Sequence, residues 1–196
     1  MKYQAVPLGE LCSVSTGMPA TRARAVVDDV PPRHVRMLQP RALHRGRIID
    51  DELSDDAVYR VKDEFFMREG DVVLKLATPY DCALIDAAHA GVLATSFAVI
   101  ARKKENAPID MGYLALFLGS RQGNQKLASL SRGGALSMLT RRAIAEFPVV
   151  LPPLETQEHL ARLSEALRAR CDEYRTLVAL DEELLDSLFV KTVWGE

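Results

Sequence analysis

Few residues of this chain stand in spacings that chemistry uses. Asp71 and Lys75 lie around a β-branched run, Val72-Val73-Leu74, and metal-dependent nucleases place an acid and a lysine on neighbouring strand positions. Such a site wants a second carboxylate two residues before the lysine, where this chain has Val73, so nuclease chemistry is not expected. Cys82 and His89 offer two ligands with no third or fourth nearby, which does not make a zinc site. A buried cysteine and a surface histidine are expected instead. The three cysteines (Cys12, Cys82, Cys171) are odd in number, widely spaced and without a C-x-x-C pair, which fits a reducing cytoplasm. There is no G-x-x-x-x-G-K-[ST] loop and no G-x-G-x-x-G turn to cradle a phosphate. The acidic-aromatic tetrapeptide with which N6-adenine methyltransferases hold a flipped base is absent as well. The sequence therefore predicts no catalytic residue, no metal and no cofactor.

What stands out is cationic. The net charge is only −2, but the charges are uneven. Arg22, Arg24, Arg33, Arg36, Arg41, Arg45 and Arg47 crowd one segment with His34 and His44, opposed there only by Asp28 and Asp29. A second cluster holds Arg121, Lys126, Arg132, Arg141 and Arg142, whereas residues 50–56 and 172–186 are acidic. Two basic islands on an acidic chain exclude an indiscriminate basic nucleic-acid binder, while leaving a localised anion-binding surface open.

The elements that position these islands make an α+β protein. At 196 residues and 48% hydrophobic, the chain has enough apolar material for one core plus an extension. An opening strand or short helical turn begins near Val6 and leads to a small polar loop at Ser15-Thr16-Gly17, then to the basic loop. Strands are expected at residues 35–38, 47–49, 58–61, 72–74, 91–101 and 147–151. Asp110, Ser120 and Thr140 are placed to cap helices, and Ser131-Arg132-Gly133-Gly134 to form a loop between them. No stretch has the length and apolarity of a membrane span or signal peptide, so a cytoplasmic protein is expected. After Pro153 the composition changes: glycine is absent until Gly195, and acids alternate with arginines. One helix is expected there, roughly 50 to 60 Å long. Leu160, Leu163, Leu167, Tyr174, Leu177, Leu184 and Leu188 recur near the three-and-four spacing of a coiled-coil seam, with Arg170 and Asp181 interrupting it. The stripe is free to slide toward Cys171 and Val178. The helix either folds back on its own domain or finds a partner.

The order of short motifs resembles the specificity subunits of type I restriction-modification systems. Gly134-Ala135-Leu136-Ser137-Met138-Leu139-Thr140, followed by Phe147-Pro148-Val149-Val150-Leu151-Pro152-Pro153-Leu154-Glu155-Thr156-Gln157, is similar to the close of that family's target-recognition domain, where a Pro-Pro-Leu-x-x-Gln hinge leads into the long helix. Leu8-Gly9-Glu10-Leu11 with Gly17 resembles its opening, Met67-Arg68-Glu69-Gly70-Asp71-Val72-Val73-Leu74 its middle strand, and residues 91–100 the strand that follows. The usual member carries two recognition domains and two antiparallel helices; this chain has one of each.

The resemblance implies a mixed α/β target-recognition domain at residues 1–152 and a dimerising spacer helix at 153–193, acting without catalysis of its own. It implies double-stranded DNA, a methyltransferase subunit and a restriction subunit as partners, in a type I or type IIB setting, and a homodimer built on the Leu160-to-Leu188 stripe. Arginine and lysine would supply phosphate contacts, and fewer side chains would reach base edges. The implied DNA-binding residues are Arg22, Arg24, Arg36, Gln39, Arg41, Arg45 and Lys75, with Arg132, Gly133, Gly134 and Ser137 from the glycine loop. The alternative is a truncated decoy that keeps the helix, binds the methyltransferase and no longer addresses DNA.

Overall fold

A computed structural model describes residues 3–131 and 138–195. The chain opens with β1 (Gln4–Pro7), a single helical turn α1 (Leu8–Leu11) and β2 (Cys12–Thr16). Ser15 and Thr16, expected in a loop, are the end of β2, held by pairing to Ile100 and Val99. Next come α2 (Ala20–Ala23), β3 (Arg33–Met37), the hairpin β4 (Leu43–His44) and β5 (Arg47–Ile48), and β6 (Ser54–Val58). The strand expected at 58–61 thus sits earlier, because antiparallel pairing with β3 runs from Met37↔Ser54 to Arg33↔Val58. β7 (Val72–Lys75), β8 (Cys82–Leu84) and β9 (Ala98–Lys103) follow, then α3 (Met111–Gly119), α4 (Arg121–Leu130), α5 (Arg141–Ala145), β10 (Pro148–Leu151) and α6 (Leu154–Val193). Of the strand expected at 91–101, only the part from Ala98 is extended sheet.

The central sheet has the order β2-β9-β7-β8, all antiparallel. It is buried on both faces, which is why its strands read as continuous apolar runs rather than as alternation. Val72 and Leu74 of β7, with Val99 and Ala101 of β9, face a core shared with α1, α3 and β10. Val73, Ala98 and Ile100 point the other way, onto Leu38, Leu43, Met67 and Ile85. A third, smaller core gathers Ala23, Val35, Met37, Val58, Phe66 and Leu93 under the β3–β6 ribbon. Gly17 explains itself at the crossing into that unit: a Cβ there would lie 2.4 Å from the Thr95 carbonyl oxygen and 2.5 Å from that of Ala94.

The three expected caps form. Asp110, Ser120 and Thr140 side chains accept hydrogen bonds from the backbone N–H groups of Tyr113, Gly123 and Ala143, each three residues on. β1 pairs with β10, so the two ends of the domain close on each other immediately before α6 begins.

α6 is one continuous helix of 40 residues, about 60 Å long. Its first half is docked. Gln157 is 1% exposed, and its amide donates to the carbonyls of Pro108 (3.2 Å) and Pro152 (2.9 Å) while its oxygen accepts from the Asp110 N–H (3.0 Å). Leu160 packs on the core that α3 shares, and Ala161 sits so close to Gly112 that a Cβ on the glycine would come within 2.9 Å of it. Farther along, Arg47 of β5 reaches Asp172 at 2.7 Å and Glu165 at 3.7 Å. Beyond Asp172 the helix leaves the domain, with Tyr174, Leu177, Leu184 and Leu188 more than half exposed.

Candidate nucleic-acid interface

The basic segment does not stand bare. Because β3 pairs with β6, the acidic stretch that follows β5 is laid directly against the arginines that precede it. Arg24 grips Asp56 with two hydrogen bonds, Nε to Oδ1 and a terminal nitrogen to Oδ2, both 2.8 Å. That grip holds the Asp56 carboxyl below the ordinary carboxylate range and raises the guanidinium. Ser54 donates to the same carboxylate at 2.6 Å, and Gln39 donates to the Ser54 hydroxyl at 2.7 Å. Gln39, Ser54, Asp56 and Arg24 therefore form one hydrogen-bonded chain across the ribbon. Arg36 pairs with Asp50 at 2.7 Å and donates to the Ala88 carbonyl at 2.6 Å, and Arg41 pairs with Glu52.

Arg45 and Lys75 meet at a second place. Asp81 accepts from the Arg45 backbone N–H at 3.1 Å and from the Lys75 ammonium at 3.2 Å. Arg45 has a φ of +48° and, with Arg47, Leu163 and Leu167, lines a groove between the β4–β5 hairpin and α6. Of the described DNA-binding candidates, Arg22 and Arg45 have side chains with neither an ion pair nor a hydrogen bond, Arg45 being tied to Asp81 through its backbone N–H only. Arg132, Gly133, Gly134 and Ser137 lie outside those residues.

The residues weighed for catalysis are structural. Asp71 is 2% exposed and is held by Arg102 at 2.8 and 2.7 Å and by the Arg68 N–H at 2.8 Å. Lys75 answers to Asp81 instead. The Cys82 thiol donates to the Ala115 carbonyl at 3.2 Å, and burial pushes it up to about 12; burial lifts Cys12 to about 11. Neither supplies a thiolate at neutral pH. His89, expected on the surface, is instead buried, because its Nδ1 lies 2.6 Å from the Asp86 carboxylate that also caps its turn. Among the described residues no group of three or more His, Cys, Asp or Glu could hold a metal ion. No helix there is long and apolar enough to cross a membrane.

Sequence reasoning missed Tyr59, Arg60 and Lys62, which line a cleft with Arg22. The signal in the sequence is two cations, Arg60 and Lys62, spaced by one residue, at and just beyond the end of the strand expected at 58–61.

No family model matches the chain, and no curated protein matches it. Solved structures do. A chain from a structure of complex assembly and conformational transition in a type I restriction-modification system superposes with a TM-score of 0.63 at 16% identity, over 95% of this chain and 43% of that one. The HsdS subunit of Thermoanaerobacter tengcongensis gives 0.59 at 23% identity, over 97% of this chain and 49% of that one. The S subunit of the type I system of M. genitalium gives 0.52 at 11% identity, over 95% and 45%. The chain thus has the fold of type I specificity subunits, a mixed α+β domain followed by a long helix, and spans less than half the length of each of these chains.

Proposed function

We propose that this chain is a non-catalytic DNA-recognition subunit of a type I or type IIB restriction-modification complex, in half-length form. Residues 1–152 read one half-site, and residues 153–193 set the distance to the other. The observation that supports this reading most is coverage: nearly the whole chain, domain and helix together, superposes on somewhat less than half of a specificity subunit.

A half needs its other half. The distal part of α6 exposes Tyr174, Leu177, Val178, Leu184, Leu185 and Leu188, too much apolar surface to be left in water on a stable monomer. The occupant is a second copy of this helix, in an isologous pair. Charge favours the antiparallel arrangement. The distal part carries Glu173, Asp181, Glu182, Glu183 and Asp186 against Arg175 and Lys191, while the docked part carries Arg162, Arg168 and Arg170, with Arg45 and Arg47 of the hairpin nearby. Four acids also lie on the docked part, so the bias selects orientation more than it adds affinity. A methyltransferase subunit would grip the paired helices, with a restriction subunit bound to that assembly, and the target would be a split palindrome in a cytoplasmic genome.

Co-expression with a type I methyltransferase subunit in a methylation-free host, followed by sequencing of modified adenines, tests the reading. A single bipartite palindromic motif, lost when the chain is omitted, is the expected result. A stable complex with the methyltransferase that methylates no motif would favour the decoy instead.

A further inference from the structure

The arginines of the β3–β6 ribbon divide by whether a carboxylate already holds them. Arg24, Arg36 and Arg41 each face a carboxylate of the same ribbon, which offsets their charge locally, most firmly in the two-hydrogen-bond grip of Arg24 on Asp56. Arg22 sits two residues from Arg24 on α2 and has no such partner among the described residues. It opens onto a cleft whose charged lining is Arg22, Arg60 and Lys62, with Tyr59 and Phe65 between them. No carboxylate lines this cleft, whereas Asp172 lines the groove beside Arg45, and Asp86, Asp110 and Glu165 line the one beside Gly46. Glu64 touches Lys62 only from outside it, at 3.8 Å on two exposed side chains, a contact worth little in water.

The cleft is also rigidly framed. Ala23 is fully buried, its carbonyl accepts from the Tyr59 N–H at 2.9 Å, and the Arg24–Asp56 grip ties α2 to β6 one residue farther on. Arg60 is fixed in the left-handed region at φ +47° immediately after that tie. Three cations on a preformed frame, with aromatic rings among them, suit a chain of phosphodiesters better than a compact free anion.

Resting on the DNA-recognition reading, we infer that the Arg22–Arg60–Lys62 cleft is where this subunit clamps the DNA phosphate backbone, and that Arg24 is a positioning residue for the clamp. The paired arginines Arg36 and Arg41 then contribute to the ribbon's shape and not to the salt-dependent part of binding.

The test is binding of the full chain to a fluorescein-labelled 30-base-pair duplex of random sequence, titrated from low to moderate salt. Arg22→Ala/Arg60→Ala is compared with the charge-matched Lys103→Ala/Arg142→Ala, and melting curves check that both fold as the wild type does. The clamp predicts at least about a tenfold loss of affinity for the first variant and a log–log salt slope shallower by about 1.8, from roughly 0.9 per phosphate contact. Arg24→Lys should lose affinity less than Arg22→Ala while leaving the slope nearly intact. If the two double variants bind alike, the cleft is not the clamp although the protein binds DNA. If the wild type shows no salt-dependent binding at all, the recognition reading itself falls and takes the clamp with it.

Discussion

The two halves of α6 share a composition and differ in surroundings. Both mix leucines with charged residues, yet the first half gives Gln157 and Leu160 to the domain's interior while the second leaves Leu184 and Leu188 more than half exposed. Leucines recur on either side of Asp172. The difference lies in what is there to meet them: α3 and the β4–β5 hairpin face one half, and no described residue outside the helix covers the other. One leucine stripe therefore adds to the domain's core at Leu160 and stays exposed at Leu184 and Leu188.

Breaking the uncovered half should change assembly without touching the domain. Leu177→Asp/Leu188→Asp is expected to turn a dimer into a monomer by light scattering while the domain's melting temperature holds, because each charge would be buried in the pair without a partner. A monomeric wild type at high concentration would sink the homodimer and leave the stripe to another protein. In the covered half the same measurements should reverse. Gln157→Ala strands two carbonyls and an N–H in a buried site and is expected to cost about 2–4 kcal/mol in denaturant unfolding. A loss below about 1 kcal/mol would mean water replaces the amide.

The β3–β6 ribbon offers a pH test of smaller size. Asp56 has a folded pKa below its unfolded value, so its contribution is fully present above about pH 4 and is lost as pH falls through the lowered value. Asp56→Asn should flatten the acid limb of stability against pH, by only about 1 kcal/mol because Arg24 is nearly half exposed. An unchanged limb would show that the grip contributes nothing. The smallest effect belongs to Arg47→Ala, at about 0.2–1 kcal/mol, since its pairs with Glu165 and Asp172 are solvent-exposed. A larger loss would mean that this latch, rather than Gln157, sets the angle at which the helix leaves.

Much of the fold was legible. The caps at Asp110, Ser120 and Thr140 follow local rules that a few residues satisfy alone, and the long helix follows from the 41 residues between Pro153 and Gly195, which are free of glycine and proline. β8 was illegible because Cys82-Ala83-Leu84 is too short to show a period, and the 58–61 strand was misplaced because pairing with β3, not local pattern, decides where β6 begins. The candidate site was half legible. Cation clustering marked the right segment but could not separate Arg22 from Arg24, which differ only in whether Asp56 is within reach.

Sequence alone determined the class of element at most positions, the helix caps and the long C-terminal helix, since each depends on neighbours within a turn or two. Tertiary structure decided which cations are paired, what Gln157 holds together and where α6 stops being part of the domain. Those depend on residues such as Asp56, Asp110 and Asp172, which chain order separates by tens of positions and only the fold brings within hydrogen-bonding distance.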